Sequence, residues 1–180
     1  GIDVHSEGLK KSSRATLKKA LRESDLALIE LTENIGLVPL KTGSVTNPEV
    51  EHRIWGYPRG VKTMQGDEVR FSEALDVKST LSDLMSESEY RKAVGEQGFP
   101  RLSAVILRVG SIIQPGHSGG PIFDKAGVVV GIGDGGLHEG IARINWAIPT
   151  NDLQKLMASN EAFPTARPQQ VAHFSVETGE

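Results

Sequence analysis

The residues with the plainest chemical potential lie in one window of this 180-residue chain, Gly116-His-Ser-Gly-Gly-Pro121. Ser118 carries its hydroxyl between glycines, in the pattern G-x-S-x-G. One chemistry that uses this pattern sets the serine on a sharp strand-to-helix turn. A triad order Ser118, Asp152, His173 can be written for it. That turn needs a helix next. Here Pro121, Ile122, Phe123 and a turn follow at once, which is hairpin chemistry, and the reading is rejected. A second pattern, G-x-G-x-x-G, starts at Gly131 after an apolar run. A pyrophosphate site would need a helix opening there, so that the phosphates meet its N-terminus. The chain instead runs through Leu137-His-Glu-Gly140 into a β-rich stretch ended by Pro149, and this reading is rejected too.

A third reading takes in more of the chain. Gln114-Pro-Gly-His-Ser-Gly-Gly-Pro-Ile-Phe123 resembles the G-D-S-G-G-P signature of trypsin-like serine proteases, in the form found in the bacterial Htr-like, trypsin-like peptidase branch. The resemblance implies that Ser118 is a nucleophile. It implies that the Gly116 and Ser118 N–H groups form an oxyanion hole, with Gly119 and Gly120 keeping the wall low for a substrate carbonyl. Ser24-Asp-Leu-Ala-Leu-Ile-Glu-Leu31 resembles the family's segment around the triad aspartate, which makes Asp25 the carboxylate that holds an imidazole in one tautomer. Ile54-Trp-Gly-Tyr-Pro58 is similar to the strand that opens the family's second barrel. Asn145-Trp-Ala-Ile-Pro149 resembles the strand before the C-terminal helix of Htr-type chains. By the same resemblance Gly133, Asp134, Gly135 and Gly136 line the substrate cleft. Ile112, six positions before the serine, falls at the pocket floor and implies a preference for small or apolar side chains. The likeness runs from about residue 20 to 158.

The histidine departs from the family pattern. The family sets it in an Ala-His segment some tens of residues before the aspartate. His5 is the one histidine in that chain order, but Val4-His-Ser-Glu7 lacks the alanine and lies only twenty positions before Asp25. The triad histidine is therefore expected upstream of Gly1, with His5 the candidate inside the chain. His52 and His138 follow Asp25, out of order, and His173 lies in the tail. His117 stands where animal trypsins carry an aspartate that pairs with a freed N-terminus. A histidine is mostly neutral at pH 7 and serves that purpose poorly, so activation by N-terminal insertion is not expected.

The elements that must position these residues read mostly as strands. Residues 25–31, 53–60, 69–77, 103–113 and 141–148 are strand candidates, and 122–132 is a hairpin about Asp124-Lys-Ala-Gly127. Leu81, Leu84 and Met85 mark a helix face capped by Ser79 and stopped by Gly95. Residues 151–158 form a short helix. Before Asp25, Leu17 and Leu21 sit at helical spacing amid Lys10, Lys11, Arg14, Lys18, Lys19 and Arg22, a basic run read as a solvated edge. The expected fold is all-β, a two-barrel trypsin-like architecture with short intermediate and C-terminal helices. Its divisions are a remnant of the N-terminal barrel over 1–48, the nucleophile-bearing barrel over 49–158, and a tail or linker over 159–180 towards a further domain.

Composition sets the outer limits. Hydrophobic residues are 38% and charged residues 24%, the mix of a globular chain rather than a collagenous or disordered one. A net charge of −3 argues against a nucleic-acid partner. No stretch nears eighteen apolar residues, so no membrane insertion is expected. Zero cysteines exclude disulfides, thiolate zinc sites and cysteine nucleophiles. No metal or cofactor is implied, and the expected partner is a polypeptide substrate. The expected activity is that of a serine endopeptidase working through an acyl-enzyme. The alternative is a catalytically dead trypsin-like module that binds peptides. The resemblance points to a bacterial source and leaves the compartment open.

Overall fold

The computed structural model describes residues 2–4, 12–71, 78–94, 98, 100–137 and 144–162. Strands β1 (Ile2–Val4), β2 (Ser13–Leu21) and β3 (Leu26–Leu31) make an antiparallel sheet in that order. β2 corrects the helical reading of the basic segment. It pairs with β3 from Ala15 opposite Leu31 to Leu21 opposite Leu26, with a bulge between Leu17 and Lys19. The bulge adds one residue and shifts the inward phase. Ser13 and Ala15 are buried before it, Ala20 and Leu21 after it. That shift breaks the strict alternation of a strand, and the four-residue step from Leu17 to Leu21 then imitates a helix.

The larger sheet holds β4 (His52–Gly56), β5 (Gln65–Val69), β6 (Lys78–Thr80), β7 (Val105–Val109), β8 (Pro121–Phe123), β9 (Val129–Leu137) and β10 (Ile144–Pro149). Its spatial order is β5-β4-β8-β9-β10-β7-β6, and its ladders are antiparallel. The β8–β9 hairpin forms as the sequence suggests. The Asp124 carboxylate closes its turn by accepting from Ala126 N at 2.9 Å and Val128 N at 2.8 Å. One face is sealed by Ile54, Val69, Phe71, Leu107, Val109, Ile113, Ile122, Val130 and Ala147. A second cluster joins Leu81, Met85, Ile106, Trp146 and Ile148. Each Val, Leu, Ile, Phe or Met among them contributes about 1.5–3 kcal/mol by leaving water.

Two helices complete the described chain, α1 (Glu87–Val94) and α2 (Asp152–Ala158). The expected helix over 81–95 is split. A 3-10 turn at Leu81–Asp83 is capped by Thr80, not Ser79, through a reciprocal Thr80–Asp83 box. α1 starts only after Ser86, whose backbone N–H donates to Glu89 Oε2 at 2.8 Å.

The all-β, two-barrel expectation is not met. Among the described residues the structure is mixed, with two antiparallel sheets and two helices, and neither sheet closes on itself. Closure needs a continuous staggered ladder around the ring. The chain just past β5 meets β7 at a single bridge, Phe71 to Val109, and β6 covers β7 over only three residues. Three strands, one of them three residues long, are too few to wrap the smaller sheet.

Candidate active site

The serine lies on a turn pinned from two sides. Gly116 takes φ +98°, and a Cβ there would overlap the Tyr57 carbonyl oxygen, so this position accepts only glycine. The Gly116 carbonyl accepts from Tyr57 N at 3.0 Å, and Pro115 O accepts from Arg59 N at 2.7 Å. On the other side Gly119 N donates to Gly133 O at 2.7 Å, and Gly133 N donates to Gly120 O at 2.8 Å. Gly120 has a structural duty that the sequence did not suggest. A Cβ there would overlap the Trp55 carbonyl oxygen of β4, so its bareness lets the turn lie on the sheet.

This mounting leaves Ser118 exposed. Its Oγ donates to the Asp134 carbonyl oxygen at 2.7 Å. Among the described residues, neither the Gly116 nor the Ser118 N–H meets a backbone acceptor. A hydroxyl bonded to a carbonyl is held but not activated, because a neutral carbonyl does not take a proton.

Asp25 stands at the end of the 3-10 turn Arg22–Ser24, with φ 51° in the left-handed region. Few side-chain-bearing residues adopt that conformation outside turns and functional sites. The turn is anchored from below. Buried Ser24 donates its Oγ to buried Asp152 of α2, whose other carboxylate oxygen holds Lys155 Nζ at 2.8 Å. Asp25 itself keeps much of its surface in water, and the protein packed around its carboxylate still raises its pKa.

Asp134 interacts with both of these residues. Its carbonyl takes the Ser118 hydroxyl, and its carboxylate accepts from Trp146 Nε1 at 2.6 Å. Burial pushes its pKa up to about 7; the indole N–H pulls the other way, and the negative charge of Asp25 adds to the rise. The sequence named Asp134 only as a cleft residue. Its carboxylate is turned to Trp146, and it is the backbone that meets the serine. Gly135 lies against the same indole, and a Cβ there would press on the ring. Gly133 is buried under Ile54 and the His117 carbonyl, and Gly136 pairs with Asn145 in β10. Ile112 is 43% exposed.

The described histidines do not complete a triad with Ser118 and Asp25. His52 is buried on β4, edge-on to Phe71 with ring centroids 4.7 Å apart, and burial lowers its pKa. His117 is buried beneath the serine turn. His5, His138 and His173 fall outside the described residues. Among the described residues no three His, Asp or Glu side chains gather as metal ligands. A groove of about 850 Å³ is lined by residues that include Leu40, Arg53, Trp55, Met64 and Phe123, and by none of Ser118, Asp25 or Asp134.

Comparison with known proteins decides the family. The model of the trypsin-like peptidase domain matches residues 5–132, more than half of the chain. This chain belongs to the trypsin-like peptidase domain family. A curated relative, the serine protease Do-like HtrB of Bacillus subtilis, is 36% identical over 53 residues, which are 29% of this chain and 12% of that protein. Among solved structures, the active form of the Rv3671c protease from M. tuberculosis superposes with a TM-score of 0.62. The match has 19% identity and covers 87% of this trypsin-like peptidase domain and 63% of that chain. The HtrA-type protease AlgW with a decapeptide gives a TM-score of 0.58 at 21% identity, covering 82% of this chain and 40% of the other. At such identities the likeness is one of fold. The trypsin-like peptidase domain thus spans less than two thirds of these relatives.

Two residues of the site escaped the sequence reading: Trp146, and Asp67 of β5, whose Oδ2 accepts from Gln114 Nε2 at 2.9 Å at the start of the serine turn. Trp146 was seen only as part of a strand. Asp67 was legible by phase, since Val69 and Phe71 continue its side of β5 into the core.

Proposed function

We propose that this chain carries the nucleophile and the orienting carboxylate of an Htr-type serine endopeptidase. The observation that carries the reading is the Gly116–Pro121 turn. It holds an exposed serine hydroxyl beside two amides that no described backbone acceptor takes up, in a chain of the trypsin-like family. In this reading a histidine takes the Ser118 proton as Oγ attacks the peptide carbonyl carbon. The Gly116 and Ser118 N–H groups take the oxyanion as it forms. The histidine then returns the proton to the leaving amine, and water hydrolyses the acyl-enzyme. Asp25 orients the imidazole. The histidine must also draw the Ser118 hydroxyl away from the Asp134 carbonyl. The AlgW complex, with its bound decapeptide, supports a polypeptide as the substrate class.

One observation favours a second reading, a peptide-binding module without turnover. No Ser–His–Asp triad is assembled among the described residues, and the serine hydroxyl is bonded to backbone. A fluorogenic peptide library with the full-length protein separates the two. Hydrolysis is expected, with preference for small or apolar residues, because Ile112 offers no negative charge and a buried basic side chain would lack a partner. Binding without cleavage supports the module. Cleavage preferring Lys or Arg refutes the role given to Ile112.

A further inference from the structure

Asp67 stands on β5 opposite Ile54 of β4, so its side chain shares the face of that fully buried residue. The Asp67 side chain is 38% exposed, so its carboxylate reaches both the solvent and the turn beneath it. Both of its partners belong to the nucleophile turn. Asp67 Oδ2 accepts from Gln114 Nε2 at 2.9 Å and stands 3.8 Å from His117 Nε2. The same two residues are tied through the backbone, His117 N donating to Gln114 O at 3.0 Å. His117 is 0% exposed, and among the described residues neither ring nitrogen has a hydrogen-bond partner. Its chain neighbours are Gly116 and Ser118.

We propose that Asp67 is the positioning residue of the nucleophile turn, acting through Gln114 and His117. The inference rests on the reading of Ser118 as nucleophile. The Gln114 bond fixes the start of the turn, and the Asp67 charge acts on its buried centre. When His117 is protonated, its imidazolium is drawn towards Asp67, from 3.8 Å towards the roughly 2.7–2.9 Å of a charge-assisted bond. A shift of about 1 Å at this residue reaches both flanking amides, and misplacement of that size costs up to roughly 100-fold in rate. Gly56 of β4 lies against the His117 ring and Gly133 of β9 against its carbonyl, and neither titrates; Asp67 is the charge that acts on the ring. Burial lowers the His117 pKa, and Asp67 opposes that fall.

The test uses the full-length protein, wild type and with Asp67→Asn, Asp67→Glu and Gln114→Ala. One readout is the rate at which a fluorophosphonate labels Ser118. The other is the His117 ring titration followed by NMR between about pH 5 and 8, whose spectra also report folding. Asp67→Asn is expected to slow labelling roughly 10- to 100-fold and to lower the His117 midpoint, with both partly restored in Asp67→Glu. Gln114→Ala slows labelling and leaves the midpoint near that of wild type. Wild type and Asp67→Asn labelled at equal rates would overturn the inference and leave the proposed function intact. Slower labelling with an unmoved His117 midpoint also overturns it. Failure of the wild type to label at all overturns the reading of Ser118 and takes the inference with it.

Discussion

At Asp134, burial works against ionisation and the neighbouring Asp25 adds to it, so the carboxyl titrates at about 7. In an unfolded chain the same group titrates near 3.9. Between about pH 4 and 7 the folded protein holds a proton that the unfolded chain has lost, so stability falls as pH rises through that range. Asp134→Asn keeps an acceptor for Trp146 Nε1 and removes the charge. The variant should exceed wild type in stability by a few kcal/mol near pH 8, with the difference vanishing near pH 4, in urea unfolding. Equal stability at both values would mean that Asp134 titrates normally. Asp25 calls for a kinetic test. Asp25→Asn keeps shape but favours the wrong imidazole tautomer, and turnover of the full-length protein should fall about 10⁴-fold. Full turnover in that variant would remove Asp25 from the triad.

At the scale of elements, α2 holds the Asp25 turn by one buried contact, Ser24 to Asp152. Ser24→Ala leaves a buried carboxylate oxygen without its donor. A loss of about 1–3 kcal/mol is expected in denaturant unfolding, and an unchanged midpoint would show that the turn is held elsewhere. The same elements show what a sequence can tell. The β8–β9 hairpin was legible because Asp124 and Gly127 announce a turn between two apolar runs. The serine turn was legible because Gly116, Ser118, Gly119, Gly120 and Pro121 form a dense local pattern. β2 was not, because the bulge after Leu17 erased its alternation. The Ser118–Asp134 contact was not, because it joins side chain to backbone across sixteen residues. The packing duty of Gly120 was not legible for the same reason. Only the fold brings the Trp55 carbonyl against it.

Across the molecule, the two sheets meet at α2 and the segment after it, at the Arg22–Ser24 turn, and where Leu26 of β3 packs on the cluster of Leu81, Ile106, Trp146 and Ile148. Lys19 Nζ donates to Ser159 O at 2.9 Å, Ser159 Oγ donates to Ala20 O at 2.6 Å, and Arg101 N donates to Glu23 O at 2.9 Å. The Asp25 charge on the small sheet acts on Asp134 of the large one, and Ser118 is bonded to the Asp134 carbonyl. A histidine is the member that the described residues do not supply at this site. A serine without an adjacent base is a weak nucleophile, so activity requires an imidazole from outside the described residues to reach Ser118. The most direct test is fluorophosphonate labelling, comparing wild type with Ser118→Ala. The account predicts a labelled wild type and an unlabelled variant, with residual rate in Ser118→Ala only about 10³–10⁴-fold over water. Equal labelling of the two proteins, or proteolysis that survives Ser118→Ala, would contradict it.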